Sequence, residues 1–249
     1  MPQLTINDVI NELDIIISDS VRDKNYLAIF AWVYKRTTEQ IKAEVDKGSF
    51  GDGQRLQQFD IVFASLYLDA YRDYKDKKPI SQSWKMAFDA ATEKHTIIQH
   101  LMMGMNAHIN LDLAVAASRI MDGKPIAELE HDFNKVNDVL AGLLDEMQVK
   151  MGKVSKLMFL LDWIGKRTDE KVINFSMEKA RSVSWFTANE LWNLNGDNRK
   201  AKIKDVDRYV ESISEFLIHP PSRFLRFVLK LIGRFEEKNV ERIIDKFQQ

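Results

Sequence analysis

The sequence contains no cysteine. That excludes disulfide bonds and thiolate metal sites, and it gives no support for secretion. Glycine and proline are also scarce, at 10 and 5 of 249 residues. Average usage of about 7% and 5% would supply more of both. So few breakers imply long uninterrupted elements. Neither charge is in excess, with 36 basic residues against 37 acidic ones. A general nucleic-acid binder shows a basic excess, so no nucleic-acid partner is expected. No apolar run reaches the roughly 18–20 residues that a membrane span needs. The opening "MPQLTINDVINELD" has no basic segment ahead of an apolar run, so no signal peptide is expected. These absences point to a soluble cytoplasmic protein.

What is present is helical spacing. Ile6, Val9, Ile10, Leu13, Ile16 and Ile17 form one apolar stripe, with Thr5 placed to cap it. Further helices are predicted over about 24–47, 54–75, 82–92, 94–121, 125–150, 154–166, 169–194, 203–217, 221–234 and 237–247. "GSFGDG", "KDKKPIS", "DGKP", "NLNGDNRK" and "HPPS" read as the breaks between them. No run alternates with period two, and no internal repeat or boundary stands out. The expected fold is all-α, a single-domain bundle of about ten helices over residues 1–249. Apolar residues at 45% can fill its core.

The stretch "HLMMGMNAHINLDLAVAA" (100–117) reads as a buried helix that nevertheless carries polar groups. His100, Gly104, His108 and Asp112 recur every four residues and share one slowly drifting line. A mid-helix glycine costs about 0.5–1 kcal/mol relative to alanine. Gly104 therefore suggests room for a backbone, a ligand or an ion beside the histidines. His108 and Asp112 have the spacing to reach one divalent ion (zinc, iron or manganese) from one face. Asp60 in "FDIVFASLYLDAY" shares a face with Phe63, Ala64, Tyr67 and Tyr71 and is the candidate third ligand or base. Arg181 lies on one line with Trp185 and Asn189. If buried, it calls for a carboxylate, with Asp112 or Asp60 as partner, and it would serve as an anion-stabilising group.

Other motifs carry less. Glu128-x-x-His131 has di-iron spacing, but no second copy exists and its surroundings are polar. "PSRFLRFVLKLIGRF" is basic and amphipathic. It either covers the core of the helical domain or docks on a membrane or partner.

The strings "FDIVFASLYLDAY", "PISQSWKMAF", "IIQHLMMGMNAHINLDLA" and "RFLRFVLKLIGRFEEKNVERIIDKF" resemble the bacterial domain-of-unknown-function family numbered 5995. The resemblance runs over most of the chain, with "GMNAHINLDL" its most distinctive part. It implies an all-helical single-domain protein and no particular activity. His108-x-x-x-Asp112 is also similar to a pattern in the zinc-dependent phospholipase C and P1-nuclease group. The chain lacks that group's further histidines and its His-x-x-x-Glu, so at most a single-metal relative is implied.

Three functions remain open on the sequence. One is a mononuclear metal-dependent hydrolase, with His108, Asp112 and Asp60 on the metal and Arg181 and Asp60 catalytic. Another is a non-catalytic module whose small-molecule ligand meets His100, Asn106, Tyr67, Trp84 and Trp185. In that case Met102, Met103, Met105 and Phe63 would complete an apolar wall. The third is a structural protein whose polar stripe is only a core network.

Overall fold

Residues 4–158, 160–161 and 177–249 are described by the computed structural model. Thr5 starts α1 (Ile6–Arg22) with a capping box, its hydroxyl accepting from Asp8 N while Asp8 accepts from Thr5 N. The apolar stripe Val9, Leu13, Ile16 and Ile17 is buried, mainly against α2 (Leu27–Asp46). α3 (Gly53–Lys75) and the short α4 (Gln82–Ala90) follow. The central hairpin-free rod comprises α5 (Ile97–Ala107), a π-helical turn (His108–Asp112) and α6 (Leu113–Ile120). α7 (Ala127–Val154), α8 (Met177–Trp192), α9 (Gly196–Ile218), α10 (Arg223–Phe235) and α11 (Val240–Gln248) complete the chain. Every regular element among the described residues is helical, without a strand, and no helix among them is long and apolar enough to cross a membrane.

One hydrophobic core runs from Val9 of α1 to Phe247 of α11, with the α5–π–α6 rod through its middle. Polar cross-ties fix the elements around that rod. Asp132 of α7 accepts from Gly51 N and Asp52 N, both at 2.8 Å, and so pins the loop into α3. Asp207 of α9 accepts from Gln82 N, Ser83 N and Ser83 Oγ at the start of α4. Glu236 accepts from Ile97 N at the start of α5 and from Ser155 Oγ. Each buried carboxylate thus meets main-chain donors that a helix leaves unpaired, where the helix dipole favours negative charge.

Three helix boundaries differ from the sequence expectation. α9 begins at Gly196, so most of "NLNGDNRK" is its first turn rather than a connection. Gly196 takes a φ of 55° at the end of the short connection Asn193–Asn195 out of α8. The rod is also not one α-helix, because the π-turn interrupts it. α7 runs on to Val154 and residues 155–158 form a break, where the sequence predicts a helix over 154–166; residues 159 and 162–166 of that helix, and the start of the one over 169–194, lie outside the described residues.

Candidate functional site

The π-turn at the centre of the rod is where chemistry-bearing side chains gather. Such a turn widens the helix by one residue and leaves main-chain groups to be satisfied from outside. Here Ser184 Oγ of α8 donates to the Ile109 carbonyl, and Asn110 Nδ2 donates to Asn106 Oδ1 at 2.9 Å. Asp112 closes the turn. Its Oδ2 accepts from Trp84 Nε1 at 2.9 Å and lies 3.1 Å from His108 Nδ1. Because Oδ2 already accepts from the indole, the bonding assigns the imidazole proton to Nδ1. That leaves His108 Nε2 as a buried lone pair without a partner among the described residues. The ring is held flat on Phe63, with centroids 3.7 Å apart and planes within 9°. Tyr34 meets its edge at 4.4 Å.

His108 lines a cavity of about 80 Å³ walled by α2, α3, the rod, α7 and α8. Its walls are mostly apolar, with Val33, Ile41, Phe59, Ile109, Leu113 and Val136 among them. Four further polar residues interrupt that surface: Tyr34, Thr37, Asp60 and Arg181. Tyr34 Oη and Asp60 Oδ2 are buried and, like His108 Nε2, lack a hydrogen-bond partner among the described residues. Buried polar atoms are hydrogen-bonded in nine cases of ten or more, so three orphans around one cavity require a cause. A larger polar groove of about 370 Å³ between α2 and α7 shows no such feature. There Arg36 and Glu146 satisfy each other through two bonds of 3.0 Å.

Burial dominates the electrostatics. It lowers the His108 pKa, against an opposing pull from Asp112, so the imidazole is neutral. It raises Asp112, against the bonds from His108 and Trp84. It raises the Tyr34 phenol well above its usual value, with Asp60 and Asp112 adding to the effect. Burial alone brings Asp60 to about 7 and Arg181 down to about 10. Arg181 is therefore still a cation at neutral pH. Its Nε donates to Asn137 Oδ1 at 2.7 Å, its NH2 donates to the Phe133 carbonyl at 2.5 Å, and its guanidinium lies 4.5 Å from the Phe133 ring centroid. No carboxylate comes within ion-pair distance of it among the described residues. The expected pairing with Asp112 or Asp60 is thus replaced by neutral acceptors.

Asp60 makes stability pH-dependent in a defined sense. Its folded pKa of about 7 exceeds the ordinary 3.8. The folded chain keeps this proton where the unfolded chain has released it. The resulting contribution is complete below pH 3.8 and is lost as pH rises through about 7. His100 acts oppositely, because burial lowers it to about 3 and stability falls as pH drops below 6.5. Asp60→Asn removes only the first effect. Relative to wild type, it should gain up to about 4 kcal/mol above neutral pH and nothing in acid. Melting curves of the two proteins across the pH range measure this, and parallel profiles would refute it.

The other candidate residues separate. His100 lies at the far end of α5, stacked on Tyr26 with centroids 4.3 Å apart. Gly104 does not open the space between the histidines, because the Phe30 ring fills it. Asn106 Nδ2 donates to the Val210 carbonyl and to Ser214 Oγ, both at 2.9 Å, and so ties the rod to α9. Trp185 packs on Phe133 and does not line the cavity. Trp84 reaches the site only through Asp112, and Tyr67 packs behind it against Phe30 and Trp84. Of the predicted apolar wall, Met105 and Phe63 line the cavity, whereas Met102 and Met103 do not. His108 and Asp112 bond to each other instead of diverging toward a shared ion. Among the described residues no group of three or more His, Asp or Glu has metal-holding geometry. Glu128 and His131 are exposed, as their polar surroundings implied. Sequence reasoning missed Tyr34, whose position beside His108 depends on how α2 crosses the rod.

Over residues 6–220 the chain matches the family described as "Family of unknown function (DUF5995)". No curated protein and no solved structure gives a significant match.

Proposed function

The chain belongs to the DUF5995 family, and we propose that it binds a small organic acid in the cavity lined by Tyr34, Asp60, His108 and Arg181. The observation that carries this is the set of three buried polar atoms without a partner among the described residues, around a mostly apolar space that also holds a cation. Buried charges are ordinarily paired, and an organic carboxylate would pair with Arg181. Its remaining polar atoms would meet Tyr34 and His108, and its alkyl part would meet the apolar walls. Size sets the class. An engineered apolar cavity that takes up benzene measures ~150 Å³. At about 80 Å³ this one suits fewer atoms, on the scale of propanoate or butanoate.

Propanoate and butanoate should raise the melting temperature of the full chain in a saturable way, and the matching alcohols should not. Arg181→Met should abolish that gain. The affinity should fall as pH rises through about 7, where Asp60 becomes a second anion in the cavity. Equal stabilisation by acids and alcohols, or none by either, would reject the organic acid.

A second reading is favoured by the Asp112–His108 pair. A carboxylate that fixes the tautomer and leaves Nε2 free is the arrangement of a general base. The same arrangement also serves a metal-bound histidine with an outer carboxylate. In that case His108 Nε2 and Asp60 would be the ligands and Asp112 their support, in place of Asp112 on the metal. Elemental analysis of the purified chain separates the two. One zinc, iron or manganese per chain, lost in His108→Ala, would replace the organic acid by the metal.

A further inference from the structure

α10 is amphipathic in an unusual three-sided way. Its sequence "RFLRFVLKLIGRF" carries four cations and no acid. One side is buried, with Leu225, Val228 and Ile232 inward and the last two packed against Leu157, Leu160 and Leu161. That side packs on a small apolar cluster apart from the main core. A second side is apolar but uncovered. Phe224 is 52% exposed, Phe227 63% and Phe235 57%. With Leu231 they recur at the spacing of one helical stripe. Isolated exposed apolar residues are ordinary, but three phenylalanines on one stripe form a patch that marks an interaction site. The third side is basic. Arg223, Lys230 and Arg234 are exposed there and make no ion pair with described residues, while Arg226 donates to the carbonyls of Pro220 and Pro221. The helix also follows the residues 6–220 that match the family.

We propose that α10 docks the protein on an anionic lipid surface, with Phe224, Phe227 and Phe235 entering the headgroup–acyl boundary and Arg223, Lys230 and Arg234 on the phosphates. The order of sides supports this. The cations flank the aromatic stripe on the side away from the core, so both can meet one plane while the buried side stays attached. A helix lying in the interface draws on the same two terms, apolar insertion and attraction to anionic lipid. A second copy of this chain is the weaker occupant. A symmetric pairing through the stripe would bring two sets of unpaired cations together, and like charges oppose association.

The test is cosedimentation of the full chain with vesicles of phosphatidylcholine alone and of equimolar phosphatidylcholine and phosphatidylserine. Wild type should bind the anionic vesicles at low salt, more weakly at physiological salt, and should leave the neutral vesicles unbound. Each cation near such a surface is worth about fivefold in affinity, so Arg223→Gln/Lys230→Gln/Arg234→Gln should lose on the order of a hundredfold. Phe224→Ser/Phe227→Ser/Phe235→Ser should lose binding at any salt. All six side chains are exposed, so circular dichroism and melting should match wild type in both variants. No binding to anionic vesicles at low salt overturns the proposal. So does binding that both variants retain. A dimer in sedimentation equilibrium that the serine variant dissolves, without lipid binding, assigns the stripe to a second copy instead.

Discussion

Asp112→Ala should lower stability by about 3–5 kcal/mol, the usual cost of breaking a buried polar pair by removing one partner. At 2–4 °C per kcal/mol for a chain of this size, the melting temperature should fall by roughly 10 °C. The reason is local and countable. Asp112 Oδ2 is the acceptor for Trp84 Nε1 and the partner of His108 Nδ1, and both rings are buried. Truncation leaves two N–H groups unpaired, each costing about 1–3 kcal/mol. It also leaves a void at the centre of the rod. Asp112→Asn is the informative control. An amide oxygen in the place of Oδ2 still accepts from both rings, and the burden of burying a carboxylate disappears. That variant should stay within about 1 kcal/mol of wild type. If alanine and asparagine cost the same, the pair does not hold the rod, and His108 has lost its fixed tautomer as an explanation. Thermal denaturation followed by far-ultraviolet circular dichroism gives the comparison directly.

The helical architecture was legible because scarce glycine and proline leave little else for an apolar periodicity to be. Which residues are buried was also legible. Asp60, His108 and Asp112 are inside, as their apolar neighbours on the same faces implied, and Arg181, whose burial the sequence left open, is inside as well. What they contact was less so. A line drawn at four-residue spacing assumes an unbroken α-helix. The π-turn re-aims every side chain after Ala107, so His108 and Asp112 meet each other and not a common third point. His100 leaves the line for a different reason, namely that Phe30 of α2 occupies the intervening space. Arg181 shows a third kind of limit. Its acceptors are a main-chain carbonyl and an asparagine on α7, and neither carries a periodic signal. The site is therefore a product of three helix crossings, each of which brings in a partner distant in sequence.

Gly104→Ala should also destabilise the chain, by about half as much as the loss of Asp112, although it adds one methyl group and favours the helix. Two effects oppose each other. Alanine in a helix interior gains about 0.5–1 kcal/mol over glycine. A Cβ at position 104, however, would lie 2.4 Å from Phe30 Cγ and within 2.9 Å of two further ring atoms. The Phe30 ring has nowhere to go, because it is buried against Tyr34, Tyr67, Trp84 and His108. Overpacking of such a core costs about 1–3 kcal/mol, sometimes more, so the clash exceeds the helical gain. A net loss of about 2 kcal/mol, or roughly 4–8 °C in melting temperature, is expected. The same substitution at Gly142 of α7 should have the opposite sign, since nothing lies within 4 Å of its added Cβ. The decisive comparison is Gly104→Ala combined with Phe30→Leu. If the ring is the obstacle, the double variant should be more stable than the sum of the two single changes, and the coupling should be lost when Phe30→Leu is combined with Gly142→Ala instead. Additivity in both pairs would mean that the rod yields elsewhere and that the contact between α2 and α5 does not set the position of His108.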